Sequence, residues 1–171
     1  MGRERITLQR NVTISAAQLT AGSGVIRGTP FNLGDKHVKR LALILDVTSH
    51  DNTNANETYD FYVWTGFKMP NGNYAYWDIG AFTQVSGASA AVRQGLFAQN
   101  EGYPGVHTIA DGTITKEPAN LADVITTSTR ETITAAFARH GFIGDFIGYT
   151  LKGGGTTPGP IVYEIAGMIW T

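Results

Sequence analysis

The chain has 171 residues, no cysteine, 21 glycines, 21 threonines and a formal net charge of −1. Without cysteine it has no disulfide framework, thiolate zinc site, iron–sulfur cluster or cysteine nucleophile. The balance of 13 Lys and Arg against 14 Asp and Glu residues argues against a general nucleic-acid binder. Charged residues make up only 16% of the chain, against about 25% in ordinary domains, so much of its surface is suited to packing against other proteins.

The first 21 residues differ in kind from the rest of the chain. Their apolar side chains alternate in two short pieces, which predict strand addition to a sheet edge in this chain or in another. We therefore expect an N-terminal arm over residues 1–21 and one β-sandwich domain over residues 22–171. Ser15 predicts the cap of a single helical turn that reaches Leu19. No secretory signal is evident, and the longest apolar run, residues 41–45, is too short to span a bilayer.

Two strong strands are predicted in the first half of the domain. In residues 39–48, Leu and Val occupy alternate positions, so one face is fully apolar and the other is mixed. Residues 59–65 carry aromatic side chains on both faces, which indicates that both faces are covered. The polar segment 50–57 between them is rich in Asn and Asp. It predicts that the two strands pair as a hairpin with a long tip.

Further strands follow in the second half. Asn71-Gly72 predicts a tight turn that joins residues 65–69 to residues 74–84. Alternation also predicts strands over residues 142–151 and 161–170, and the last of these, apolar on both faces, is expected in the centre of a sheet. Residues 87–130 hold many turn formers and predict a loop-rich excursion, with helical turns at 88–100 and 120–124. The expected fold class is all-β, a β-sandwich or jelly-roll-like domain.

Candidate chemistry is sparse in this sequence. None of the four histidines, His37, His50, His107 and His140, has metal-ligand spacing to another ligand, although His107 and Asp111 form a possible pair. The Asn-rich segment around Asp51 and Glu57 lacks the glycine and glutamate of an EF-hand loop. We therefore expect no catalytic residue, no metal and no cofactor.

A run of aromatic residues from Tyr59 to Phe82 allows two interpretations. It favours a sandwich core with one interface, and the alternative is a sugar-binding platform built from Tyr62, Trp64, Tyr76 or Trp77. Only Lys68 adds a basic charge within the run, so single-stranded nucleic acid is not an expected ligand.

Three segments together carry a family resemblance. They are residues 28–34 followed by 43–48, residues 77–85, and residues 142–150 followed by 155–158 and the last strand. Their order and texture resemble small β-sandwich structural proteins encoded in the head modules of tailed phages, which include head decoration and cement proteins. The resemblance implies a non-enzymatic virion protein on the capsid surface, made in the host cytoplasm. Its implied partners are the major capsid protein and copies of itself in a homotrimer, without nucleic acid or membrane.

Two alternatives to this function stay open, another virion component of the tail, neck or fibre base, and a carbohydrate-binding module. If the chain is a structural virion protein, contacts are expected through the N-terminal arm, the aromatic strand 59–65 and the excursion over residues 87–130. The expected interface residues are Arg3, Arg5, Ile6, Leu8, Val12, Ile14, Tyr62, Trp64 and Tyr103.

Overall fold

The computed structural model describes residues 2–20, 25–53, 55–68, 70, 74–89, 92–99, 115–117 and 143–171. Its elements, in chain order, are β1 (Arg3–Ile14), α1 (Ala16–Thr20), β2 (Val25–Arg27), β3 (Phe31–Asn32), β4 (Arg40–His50), β5 (Thr58–Lys68), β6 (Tyr74–Ala81), β7 (Val85–Ser86), β8 (Val92–Gln99), β9 (Thr115–Glu117), β10 (Phe146–Gly154) and β11 (Ile161–Trp170). Within the described residues, one short helix and many strands confirm the all-β prediction.

The strands form two antiparallel sheets. The smaller sheet has four strands in the order β1-β11-β4-β8. The larger has the order β2-β10-β5-β6-β9, with β3 also paired to β10 and β7 to β5. Buried side chains from both sheets form one hydrophobic core, and the ring centroids of Phe61 and Tyr163 lie 4.8 Å apart across it. The molecule is therefore a β-sandwich.

Strand β4 shows why the alternation of apolar residues predicts a strand and its buried face. Leu41, Leu43, Leu45 and Val47 are at most 1% exposed, whereas Ile44 on the opposite face is 48% exposed. Period-2 alternation places the first set in the core and the second outside. The central position predicted for the last strand is also confirmed, because β11 lies between β1 and β4.

The hairpin predicted between β4 and β5 is wrong. Strand β4 pairs with β11 and β8, whereas β5 belongs to the other sheet. Segment 51–57 therefore carries the chain across the sandwich, and the backbone N–H of Asp51 donates to the carbonyl of Pro160 at this crossing. Asn and Asp signal a change of direction, but they do not distinguish strand pairing from a change of sheet.

The helical turns predicted over residues 88–100 are also wrong, because Val92–Gln99 is strand β8. Its Leu96 and Ala98 are buried beside β4. The helix propensity of Ala, Gln and Leu is overridden by this packing at period 2. The loop-rich excursion predicted over residues 87–130 therefore contains a regular strand, because residues 92–99 belong to the four-stranded sheet. The turn expected at 120–124 lies outside the described residues.

The N-terminal segment forms the edge strand of the four-stranded sheet in its own chain. Strand β1 pairs with β11 from Arg3, opposite Trp170, to Ile14, opposite Ile161. Register shifts occur on both sides of Gln9. The helical turn predicted after strand β1 is confirmed and is α1. The backbone N–H of Ser15 donates to Gln18 Oε1, and the backbone N–H of Gln18 donates to Ser15 Oγ. This reciprocal pair is a capping box.

Candidate interaction surface

The outward-facing side of the four-stranded sheet is open and carries a band of apolar side chains between charged ones. Strand pairing aligns its side chains in rows that run across the sheet. Four rows make up this surface, which we call the outer face: Arg3, Trp170 and Arg40; Arg5, Met168, Ala42 and Phe97; Thr7, Ala166, Ile44 and Gly95; and Glu164, Asp46 and Arg93. The two middle rows are apolar except for the residues of β1.

Small residues in the middle rows create a depression of about 540 Å³. Ala42, Ala166 and Gly95 provide little side-chain volume there. Phe97 is 77% exposed, and its ring leans towards Gly95, where a Cβ atom would lie 3.2 Å from Phe97 Cε2. A large exposed aromatic ring next to a shallow apolar depression is typical of a surface that binds another protein.

Charges border the outer face at its two ends. Arg93 and Asp46 form an ion pair across β8 and β4, and this carboxylate raises the pKa of the Arg93 guanidinium. Glu164 lies beside Asp46 in the same row. Arg5 lines the depression from the edge strand. The outer face therefore has Glu164 and the Asp46–Arg93 ion pair at one end, and Arg5 lies nearer the other.

The predicted interface residues of β1 divide between two environments. Arg3 and Arg5 are exposed on the outer face. Ile6, Leu8 and Ile14 are at most 7% exposed and belong to the core, and Val12 packs partly against it. These apolar side chains are already occupied by their own chain, so only the two arginines are accessible to a partner.

The predicted aromatic interface residues do not converge on one surface. Trp64 is 1% exposed, and its ring packs edge-on against Phe146, with centroids 5.8 Å apart. A buried ring cannot stack on a sugar, which removes Trp64 from a carbohydrate platform. Tyr62 is half-buried on the same strand. Tyr103 lies outside the described residues, as do the side chains of Tyr76 and Trp77.

A buried carboxylate holds the crossing between the sheets. Glu57 is 1% exposed and accepts hydrogen bonds from the Gly159 N–H at 3.3 Å and from Thr157 Oγ1 at 3.4 Å. Asp51 instead accepts from the Thr53 N–H and hydroxyl, and these bonds, with His50, lower the pKa of its carboxyl. The two acids therefore act in separate turns and do not form a calcium cradle.

The two histidines that the structure describes, His37 and His50, are not part of a catalytic arrangement with other described residues. His37 is exposed, and His50 packs beside the Tyr59 ring at 5.9 Å. His107, its possible partner Asp111 and His140 lie outside the described residues. Among the residues with described positions, no group of three or more His, Asp or Glu side chains could hold a metal ion. Within that same part of the chain, no helix is both long and apolar enough to cross a membrane.

Comparisons with family models, with curated proteins and with solved structures find no match to this chain. The structure by itself assigns the chain to the antiparallel β-sandwiches, and the smaller sheet carries the outer face.

Sequence reasoning missed the residues that form this face, above all Ile44, Phe97, Met168 and Trp170. A signal was present in β11, which is apolar on both faces. In a two-layer sandwich each sheet has only one face in the core. A strand with two apolar faces thus indicates either a third layer or a surface for a partner.

Proposed function

We propose that this chain is a non-enzymatic structural subunit that is incorporated into a protein assembly through its outer face. In its most specific form, the proposal is a decoration or cement protein on the head of a tailed phage, bound to a lattice of major capsid protein. The observation that carries it is the open apolar depression with Phe97 77% exposed. Exposed apolar surface that is bordered by polar and charged residues often marks a site of protein–protein contact.

The composition and the fold support the same proposal. Low charge lowers the cost of removing the surface from water, because charged groups are expensive to desolvate. The central strands of the outer face, β4 and β11, pack their opposite sides into the hydrophobic core, and this packing holds the outer face in position. A rigid sheet face of this type presents the same surface in every copy, as a repeating lattice requires.

The test uses the full-length protein and particles produced from the genome that encodes it, with its gene deleted. Purified protein is expected to bind these particles in many copies over the shell. Phe97→Asp is expected to lose binding at least tenfold, since a charge would then be buried in the contact. Thr13→Asp adds the same charge at an exposed position of the same sheet and is the matched control.

The results separate the alternatives. Binding as a ring at one vertex would replace the decoration role with a neck, tail or fibre-base role. Glycan binding that Phe97→Asp abolishes would point to a carbohydrate-binding module. The proposal fails if the folded protein neither binds the particles nor is found in wild-type ones.

A further inference from the structure

The outer face has a self-complementary pattern of side-chain sizes. On β11, the large Met168 in one middle row precedes the small Ala166 in the next. On β4, the order is reversed, with small Ala42 in the first of these rows and large Ile44 in the second. On β8, Phe97 and Gly95 again give large and then small. Strands β11 and β4 therefore each offer one projection and one hollow, whereas on β8 the Phe97 ring leans towards Gly95.

We propose that two copies of the chain pack through their outer faces about a two-fold axis that lies in the interface, perpendicular to the strands. This operation places each strand over the same strand of the other copy and exchanges the two middle rows. Met168 then lies over Ala166 of the second copy, and Ile44 lies over its Ala42. Each projection meets a hollow, as close packing requires.

Charge selects this axis over the alternative. A two-fold axis parallel to the strands also places Met168 over a small residue, the second copy's Ala42. However, it would bring Glu164 over Asp46 of the second copy, and like charges at close range repel. The perpendicular axis instead places Arg40 over Asp46 of the second copy, twice, so that Asp46 gains a second cation beside Arg93 of its own chain. It also brings the two Phe97 rings together near the axis, where an aromatic pair is favourable.

The dimensions of the face fit a weak, specific dimer. Four strands spaced about 4.8 Å apart and four rows about 6.8 Å apart cover roughly 500 Å² of each copy. Two copies would bury about 1,000 Å², which reaches the lower limit for a specific interface. At this size we expect a weak, reversible dimer, which a lattice that offers many contacts can displace.

This inference rests on the proposed use of the outer face and names a second copy as its occupant in solution, which the lattice would replace on assembly. It differs from the homotrimer expected from the sequence, because a face that contacts itself requires a two-fold axis. Sedimentation equilibrium from micromolar to submillimolar concentration is expected to show a monomer–dimer equilibrium. Phe97→Asp is expected to weaken it at least tenfold, whereas Thr13→Asp leaves it unchanged.

Cross-linking tests the axis directly, because the chain contains no cysteine of its own. Sheets packed face to face lie about 10 Å apart, a distance that a short bismaleimide spans. A mixture of Trp170→Cys and Glu164→Cys proteins is expected to form cross-linked dimers, because the proposed axis places these two positions over each other. A mixture of Trp170→Cys and Arg40→Cys proteins should form far fewer, because the same axis separates these positions by about 20 Å along the strands. The reverse ratio would overturn the proposed axis.

Two further outcomes separate this inference from the proposed function. A protein that stays monomeric, or forms a trimer, overturns the dimer. If such a protein still binds particles and Phe97→Asp still abolishes that binding, the outer face contacts a different chain and the proposed function stands. If the dimer forms but particles are never bound, the self-contact stands and the virion role fails.

Discussion

The hydroxyl oxygens of Tyr149 and Tyr163 lie 3.0 Å apart between the two sheets. Tyr149 belongs to β10 of the larger sheet and Tyr163 to β11 of the smaller one. Tyr149 also donates to Gln9 Oε1 at 2.8 Å. This polar chain crosses an otherwise apolar core, so it fixes how the two sheets align.

Tyr149→Phe is expected to lower the free energy of unfolding by about 1–3 kcal/mol, because it removes both of these hydrogen bonds. Tyr163→Phe is expected to cost less, because the bond from Tyr149 to Gln9 remains. The double variant should lose less than the sum of the two single variants, since both single variants remove one shared bond. Urea denaturation of all three measures this. Strictly additive losses would show that the two hydroxyls are not coupled.

Alkaline pH is expected to destabilise the fold through its buried tyrosines. Burial, with the charges of Glu57 and Asp51, raises the pKa of Tyr59 to about 12, and burial also raises the pKa of Tyr149 and of Tyr163. The unfolded chain releases these protons near pH 10 and the folded chain at higher pH, so stability is full below about pH 10 and falls above it.

The free energy of unfolding should fall by at most about 1.4 kcal/mol per pH unit for each such tyrosine above pH 10. Lysines titrate in the same range, so the relevant quantity is the difference between wild type and Tyr59→Phe, whose slope should be shallower. Tyrosinate absorbance of the folded protein provides a second readout. Ionisation of all seven tyrosines at pH 10 without unfolding would contradict the expected pKa values.

The edge strand β1 is expected to be required for folding. Ile6→Ala should cost about 2–5 kcal/mol, because Ile6 is 2% exposed in the core. The neighbouring exposed Thr7 provides the matched control, and Thr7→Ala should change stability by less than about 0.5 kcal/mol. Deletion of residues 2–14 should abolish cooperative unfolding, since it also removes Leu8 and Ile14. A deletion variant that unfolds cooperatively would show instead that the segment is a dispensable arm.

Gly148 is expected to be intolerant of any side chain. A Cβ atom there would overlap the ring of Trp64, which is buried and paired with Gly148 across β10 and β5. Gly148→Ala should therefore cost about 1–3 kcal/mol through overpacking. Gly95→Ala is the control, because its nearest neighbour is the exposed Phe97 ring and its effect on unfolding should be small. Equal losses in thermal melts would contradict this account.

Strand positions were largely predictable because one face of each strand must avoid water. The alternation in β4 and the aromatic pattern of β5 identified both strands and their core faces. Their pairing was not predictable from the same signal. The polar segment 50–57 has the composition of any turn, and the contacts that direct it across the sandwich, such as Glu57 with Gly159, join residues about a hundred positions apart.

The candidate surface was harder to predict than the core. Arg3 and Arg5 were recognised from their place on β1, but Ile44 and Phe97 were assigned to a strand and to an excursion. An exposed apolar residue has the same composition signal as a buried one. Only the sheet order, which brings β8 beside β4 and β11, shows that these residues share one face.

The pairing of β1 with β11 determines when the four-stranded sheet can form during synthesis. Arg3 pairs with Trp170, and the backbone groups of Gly2 and Thr171 exchange hydrogen bonds at 3.2 Å. Strand β1 is synthesised before β11, and the strands β2 to β10 lie between them in the chain. Contacts of such long sequence separation slow folding. The outer face is therefore complete only after β11 has been synthesised.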